Sequence, residues 1–310
     1  MKKKVLVFGS FVADLTGRGK KFPLPGETVL GTSFQSGPGG KGSNQAVAAH
    51  RAGADVQFVT KLGRDTFGRM AMDFYQQEGM DASHLMQDEA MSTGAALIMV
   101  NEQTGQNEIM VYLGACNHIT PEDVESCRGL IASADILLLQ MEINLDALEA
   151  IIRMTHDAGV QIVLNPAPAQ RLSDELMGMI DLVTPNETEA YLLTGVEIRC
   201  TEDASTAAKV FLNKGVRGVV ITLGEKGVYV TDGRQEECME RIPVQAVDTT
   251  GAGDAFNGGL VKALAEGRNL FEAARYGNCT GALSVTRKGT APAMPYAAQI
   301  DELFEKTYGC

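Results

Sequence analysis

Ile136-Leu137-Leu138-Leu139, a helical pattern over 145–158, and Gln161-Ile162-Val163-Leu164 make one strand–helix–strand unit. Both strand runs are continuously apolar rather than alternating, which suits parallel strands buried on two faces. The rhythm continues outward, with strands predicted over 4–8, 56–60, 182–184 and 219–223 and helices over 43–52, 67–78, 187–194 and 204–214. Such repetition predicts an α/β fold, a doubly wound sheet with helices on both sides. Two stretches break it. Residues 27–36 alternate imperfectly and are rich in Thr, Val and Phe, and 95–101 and 107–113 are strand-like runs around the turn Gln103-Thr104-Gly105-Gln106. These pieces predict a small antiparallel second sheet that projects from the first.

The chain has 310 residues, 45% hydrophobic and 21% charged, enough apolar material for a sizeable core and too much for global disorder. Its 27 basic and 39 acidic residues leave a net charge of -12, which argues against nucleic acid or an anionic membrane as the main partner. A local basic pocket for a phosphorylated ligand remains compatible with that total. The apolar stretch after Met1-Lys2-Lys3-Lys4 is too short for a signal peptide, and no window approaches the roughly 18 apolar residues of a spanning helix. Six cysteines (116, 127, 200, 238, 279, 310) include no Cys-x-x-Cys pair, so free thiols in a reducing cytoplasm are predicted.

The richest motif is Asp248-Thr249-Thr250-Gly251-Ala252-Gly253-Asp254, between a strand-like run at 242–247 and an apolar-periodic stretch ending near 265. Small residues at a helix start leave N–H groups unshielded where the helix dipole favours negative charge, a cradle for a phosphoryl group in transfer. Asp254, in the first turn, is placed to take a proton from an attacking hydroxyl, although an aspartate there is also an ordinary helix cap. Phe256 stands where a dinucleotide fingerprint needs a third Gly or Ala, and Gly9-Ser10-Phe11 lacks such glycines too, which disfavours a dehydrogenase. Gly37-Pro38-Gly39-Gly40-Lys41-Gly42-Ser43-Asn44-Gln45 is not a Walker loop, since Gln35 and Gly42 occupy its required Gly and Ser/Thr places. It reads either as a flexible turn or as a surface where backbone, Lys41 and Asn44 meet a polar ligand. Asn186 and Glu189 form either a capping box or a pair facing a hydrated metal or phosphate. Thr222-Leu223-Gly224-Glu225-Lys226-Gly227 serves a nucleotide or a plain hairpin into 228–230 equally well.

Together these segments, with Pro25-Gly26-Glu27-Thr28, Leu164-Asn165-Pro166-Ala167-Pro168-Ala169 and Val285-Thr286-Arg287-Lys288-Gly289, resemble the ribokinase branch of the PfkB carbohydrate kinases nearly end to end. The resemblance implies one three-layer α/β/α ribokinase-like domain over 1–310, with a β-sheet lid from about 11–38 and 94–115 that also forms a homodimer interface. It implies Asp254 as catalytic base and the backbone of Gly251, Ala252 and Gly253 as anion hole. Asp14, Gly40, Lys41, Asn44 and Glu142, with Asp254, would bind the sugar. Asn186, Thr222, Gly224, Gly227 and Asn278 would bind ATP, and Glu189 would act indirectly on Mg²⁺. Asp248, Thr250, Ser284, Arg287, Gly289 and Ala293 match a loop for an activating monovalent cation, K⁺.

The implied activity is ATP-dependent phosphorylation of the primary hydroxyl of a ribose-type pentose, D-ribose to ribose 5-phosphate. One residue departs from the pattern. In Gly9-Ser10-Phe11-Val12-Ala13-Asp14, Val12 replaces a sugar-binding amide, and a hydroxyl buried against it would lose its partner at about 1–3 kcal/mol. A 2-deoxyribose or other sugar kinase is therefore one alternative. A nucleoside kinase, with Phe11, Phe34 or Tyr112 stacking on a base, is another. A non-enzymatic sugar sensor is disfavoured by the intact Asp254 motif.

Overall fold

The computed structural model describes residues 3–309, so the thiol expectation at Cys310 lies outside the described residues; Cys116, Cys127, Cys200, Cys238 and Cys279 are free thiols. The chain opens with β1 (Lys4–Phe8), leaves through β2 (Val12–Gly19) and β3 (Ser33–Gly39), and returns by α1 (Lys41–Arg51) to β4 (Asp55–Gly63). After α2 (Thr66–Glu78) and β5 (Leu85–Asp88) it leaves again as β6 (Thr93–Asn101) and β7 (Asn107–Gly114). Then come α3 (Pro121–Ser126), α4 (Arg128–Ser133), β8 (Ile136–Gln140), α5 (Leu145–Asp157), β9 (Gln161–Asn165), α6 (Asp174–Met177) and β10 (Leu182–Val183). The C-terminal part holds α7 (Glu187–Thr194), α8 (Thr201–Asn213), β11 (Gly218–Thr222), β12 (Val228–Thr231), β13 (Glu236–Met239), α9 (Ala252–Ala265), α10 (Leu270–Ser284) and α11 (Ala297–Tyr308).

The main sheet runs β13-β12-β11-β10-β9-β8-β1-β4-β5, parallel except for β12, which is antiparallel to both its neighbours. Alternate side chains enter two cores. Val5, Val7, Ile136 and Leu138 pack beneath α1, α2, α9 and α10, while Leu6, Phe8, Leu137 and Leu139 pack against α5 and α8. Burial on both faces explains why these strands lack polar alternation, each large side chain contributing about 1.5–3 kcal/mol. Among the described residues no helix is long and apolar enough to cross a membrane.

Three local expectations are corrected. The run at 242–247 is irregular: Pro243 has no N–H to offer a ladder, Ile242 is buried in the core, and the N–H groups of Val247 and Asp248 both donate to Val285 O. The strand expected over 27–36 begins only at Ser33. The small sheet, β3-β2-β6-β7, is not wholly antiparallel, because β2 and β6 pair in parallel from Val12↔Gly94 to Gly19↔Asn101. Each follows a parallel strand of the main sheet and leaves it at the same end, so the two run the same way.

Candidate active site

Gly251 caps α9 with φ 78, a left-handed conformation that glycine adopts without strain, and no side chain caps the helix. An added Cβ at Gly253 would meet nothing within 4 Å. Open space thus lies beside the first turn of α9 at Gly253, as an anion site requires, while Ala252 N donates to Thr249 O at 3.3 Å.

Asp254 is buried in that first turn. Its Oδ2 accepts from Asn44 Nδ2 and its Oδ1 from Gln45 Nε2, both at 2.9 Å. Consecutive residues near the start of α1 thus hold both oxygens of one carboxylate. Gln45 is fixed in turn, its Nε2 also donating to Asn165 Oδ1 (2.9 Å) and its Oε1 accepting from Gln140 Nε2 (2.7 Å). Asn165 donates to Thr184 O, the Thr184 hydroxyl to Asn257 Oδ1 and Asn257 to Gly253 O, which brings the chain back to the start of α9. Gln140, Asn165 and Thr222 end β8, β9 and β11, so the site opens at the carboxyl ends of the strands, where doubly wound folds bind ligands. A cleft of about 160 Å³ there is lined by Lys41, Asn186, Glu189, Thr222, Gly251 to Asp254 and neighbours. A larger hollow of about 630 Å³, by His156, Asp181 and Arg217, lies at the opposite strand ends and holds none of these residues.

Beside Asp254 the pocket is acidic with one lysine. Glu142 Oε2 accepts from Lys41 N (2.9 Å) and Ser10 Oγ (2.5 Å). Asp14 projects from β2 into room left by Gly39, where an added Cβ would collide with its carboxylate. Burial pushes the Asp14 carboxyl up to about 6; the Thr290 hydroxyl opposes this, and the charges of Glu142 and Asp254 add to it. Burial works against the Lys41 ammonium, yet Asp254, Glu142 and Glu189 together raise it above the usual lysine value. Asn44 Oδ1 is buried without a partner, an acceptor facing no donor of the protein.

At the start of α7, Asn186 and Glu189 form a capping box, with Asn186 Oδ1 accepting from Glu189 N and Glu189 Oε2 from Asn186 N. Burial raises the Glu189 carboxyl above its ordinary value despite that N–H and Lys41. Residues 222–228 turn as a hairpin between β11 and β12, and Gly227 (φ 95) is needed because a side chain there would run into Met239 O. Gly224 and Gly227 do not line the cleft. Nor does Asn278, whose amide donates to Glu240 O and the Tyr308 hydroxyl, both at 3.0 Å.

Asp248 Oδ1 accepts from Thr250 N and Oδ2 from Gly289 N, which hold its carboxyl below the ordinary value against burial. The Ser284 hydroxyl donates to Gly281 O, its carbonyl accepts from Arg287 N, and Ala293 is buried in the following turn. This set offers a carboxylate and backbone carbonyls, hard oxygen donors of the kind an alkali cation takes. Among the described residues no three His, Cys, Asp or Glu cluster as a metal cage.

Gln45, Asn165 and Asn257 lie within or beside the glycine- and proline-rich motifs with no role legible there, and Gln140 and Thr290 stand in no motif. The amides carry no local signal, since only the fold brings them together. Phe11, considered above as a stacking partner, is wholly buried edge-on to Tyr75, whereas Phe34 and Tyr112 are exposed.

The sequence matches the model of the pfkB family carbohydrate kinases over residues 2–297. The chain belongs to this family. Within it, the chain is 43% identical to the ribokinase of Haemophilus influenzae, over 98% of this chain and 99% of that one. It is 33% identical to the deoxyribokinase of Salmonella typhi, over 96% and 97%. The structure of Arabidopsis thaliana ribokinase complexed with ribose and ATP superposes with a TM-score of 0.90 at 31% identity, covering 98% of this chain and 99% of that one. The fold is that of ribokinases, and the chain is a ribokinase-like carbohydrate kinase.

Proposed function

We propose that the chain transfers the γ-phosphoryl group of ATP to the primary hydroxyl of D-ribose, giving ribose 5-phosphate. The observation that carries this reading is the Asp254 carboxylate, held by Asn44 and Gln45 beside the uncapped start of α9. Asp254 takes the hydroxyl proton as that oxygen bonds to the γ-phosphorus; the bond to the β,γ-bridging oxygen breaks and ADP leaves. The N–H groups of Gly251 and Gly253, and that of Ala252 once it leaves Thr249 O, would face the charge on the transferring group together with Lys41. Asp14, Gly40, Asn44 and Glu142 orient the sugar, Asn44 Oδ1 supplying the free acceptor. Asn186, Thr222, Gly224 and Gly227 flank the nucleotide, and Asn278 serves them indirectly by holding Glu240. Glu189 would hold Mg²⁺ through water, and Asp248, Thr250, Ser284, Arg287, Gly289 and Ala293 would hold K⁺; the first supplies charge neutralisation at the phosphates. The small sheet acts as a lid that excludes water and, in a cytoplasmic homodimer, as the interface.

Val12 favours a second reading, 2-deoxyribose. It precedes Asp14 by two positions on β2, so it shares that face, and it is 2% exposed with no polar atom for a sugar hydroxyl. The test is ATP consumption with Mg²⁺ and K⁺ against ribose, 2-deoxyribose, other pentoses, ketohexoses and nucleosides. Ribose should turn over fastest, and Asp254→Asn should lose about 10²–10⁴-fold in kcat. A preference for deoxyribose that Val12→Asn reverses would replace the first reading with the second. Silence across the panel, with sugar binding intact, would favour a sensor.

A further inference from the structure

The turn from Thr290 to Met294 meets the small sheet and the start of α9 and is clamped from behind. On its inner side Thr290 Oγ1 lies 3.1 Å from Asp14 Oδ2 and 3.2 Å from Pro38 O. Its single hydrogen is shared between these two acceptors, which belong to β2 and β3 of the small sheet. Thr290 and Met294 also lie against Gly251, and the preceding Gly289 N donates to Asp248. On the outer side the two hydrogens of one guanidinium nitrogen of Arg51 are shared among three carbonyls of the turn, Ala291 O (3.2 Å), Pro292 O (3.1 Å) and Met294 O (2.8 Å). The other edge of that guanidinium makes a two-pronged pair with Glu78 at the end of α2 (2.9 and 2.6 Å), and its face lies 4.9 Å from the Tyr296 ring. The Arg51 side chain is 8% exposed and that of Glu78 13%, so the pair is held rigidly and largely out of water.

A surface arginine would not need five hydrogen bonds and a ring to stay folded. Arg51 ends the same helix that carries Lys41 about 15 Å away along its axis and Asn44 and Gln45 about 10 Å away. It thus ties the far end of α1 to a turn whose near end sets the Asp14 carboxylate. We infer that Arg51 is a positioning residue for the sugar end of the site, acting through Thr290 on Asp14. This rests on the sugar-kinase reading, though not on which sugar is used. An error of about 1 Å in a positioned group can reduce turnover about 10²-fold, so the clamp has something to protect.

The test is a kinetic cycle on purified full-length enzyme, using whichever panel sugar the wild type phosphorylates best. Arg51→Ala, Arg51→Lys, Thr290→Val and Arg51→Ala/Thr290→Val are compared for sugar KM, ATP KM, kcat and Tm. Thr290→Val and Arg51→Ala should each raise sugar KM about tenfold and leave ATP KM within about twofold. The double variant should be no worse in sugar KM than Thr290→Val alone, and Arg51→Lys should recover part of the loss. If Arg51→Ala does not fold, Arg51→Lys and Glu78→Gln, with and without Thr290→Val, carry the same comparison. A lowered Tm with unchanged sugar KM would reduce Arg51 to a staple of the fold. Multiplying effects in the double variant would show that it does not act through Thr290. A wild type that prefers another sugar overturns the ribose assignment alone, whereas these two outcomes overturn the coupling alone.

Discussion

Asp14 is a carboxylate placed where charge is hard to keep. Burial, Glu142 and Asp254 all favour its protonated form, and only the Thr290 hydroxyl resists. Its carboxyl is raised from 3.8 to about 6, so the folded chain binds a proton there more tightly than the unfolded chain does. Between those two values stability falls as pH rises, and above about pH 6 the full cost of the buried charge is present. Asp14→Asn should therefore raise Tm at pH 8, by a gain of up to about 3 kcal/mol in stability. That advantage should shrink through pH 6 and be gone near pH 4, when the wild-type side chain is neutral too. Thermal unfolding at a series of pH values checks this, and a Tm difference constant across the range would refute it.

Helix α9 is the element on which the proposed chemistry turns, and its glycines fall into two groups. Gly251 and Gly253 open its start to an anion, while Gly258 and Gly259 let it press against α1 and α10. A Cβ at Gly258 would collide with Ala48 and one at Gly259 with Thr280. The close contact with α1 matters because Asp254 sits on one helix and its partners Asn44 and Gln45 on the other. Gly258→Ala should cost about 1–3 kcal/mol in urea unfolding, from overpacking. It should also lower kcat more than sugar KM if Asp254 is the proposed base, since it separates that carboxylate from the amides of Asn44 and Gln45. An unfolding midpoint and kcat both matching wild type would show that the interface has slack the geometry does not suggest. The anion-cradle motif at 251–254 was readable because its small residues and helix start are local. The role of 258 and 259 was not, because a helix–helix approach distance is a property of two elements. The strand expected at 242–247 failed for the same reason: Ile242 packs into the core and Val244 against it, but Val247 is exposed and no neighbouring strand lies alongside.

In the molecule as a whole, the small sheet is built against the usual economy of surfaces. Phe34, Leu97, Ile109, Met110, Val111 and Tyr112 are all about half exposed or more, and those of β7 lie on both faces of an edge strand. An apolar edge strand left open invites pairing with another chain. A second copy of this chain, covering the sheet, would remove that exposure. Leu97 and Met110 are cross-strand neighbours, so Leu97→Lys with Met110→Glu places charge in one patch without touching the main core. The wild type should sediment as a dimer at micromolar concentration and the variant as a monomer. A wild type that sediments as a monomer would remove this reading of the sheet.

The alternation of continuous apolar runs with helical patterns was enough to establish the doubly wound sheet, because burial on both faces leaves its mark on every strand. The glycine-rich turns with Lys41, Asn44 and Asp254 were likewise legible, since unshielded backbone at a helix start requires small residues at fixed offsets. What required tertiary structure was everything joining distant segments. Gln45, Gln140 and Asn165 become a single hydrogen-bonded support for Asp254 only when α1, β8, β9 and α9 are packed together. Thr290 meets Asp14 across 276 residues of chain. The parallel pairing of β2 with β6 follows from where each leaves the main sheet. Short-range pattern reports which face of an element is buried; it holds no record of which partner lies across from it, and a hydrogen bond is made to a partner.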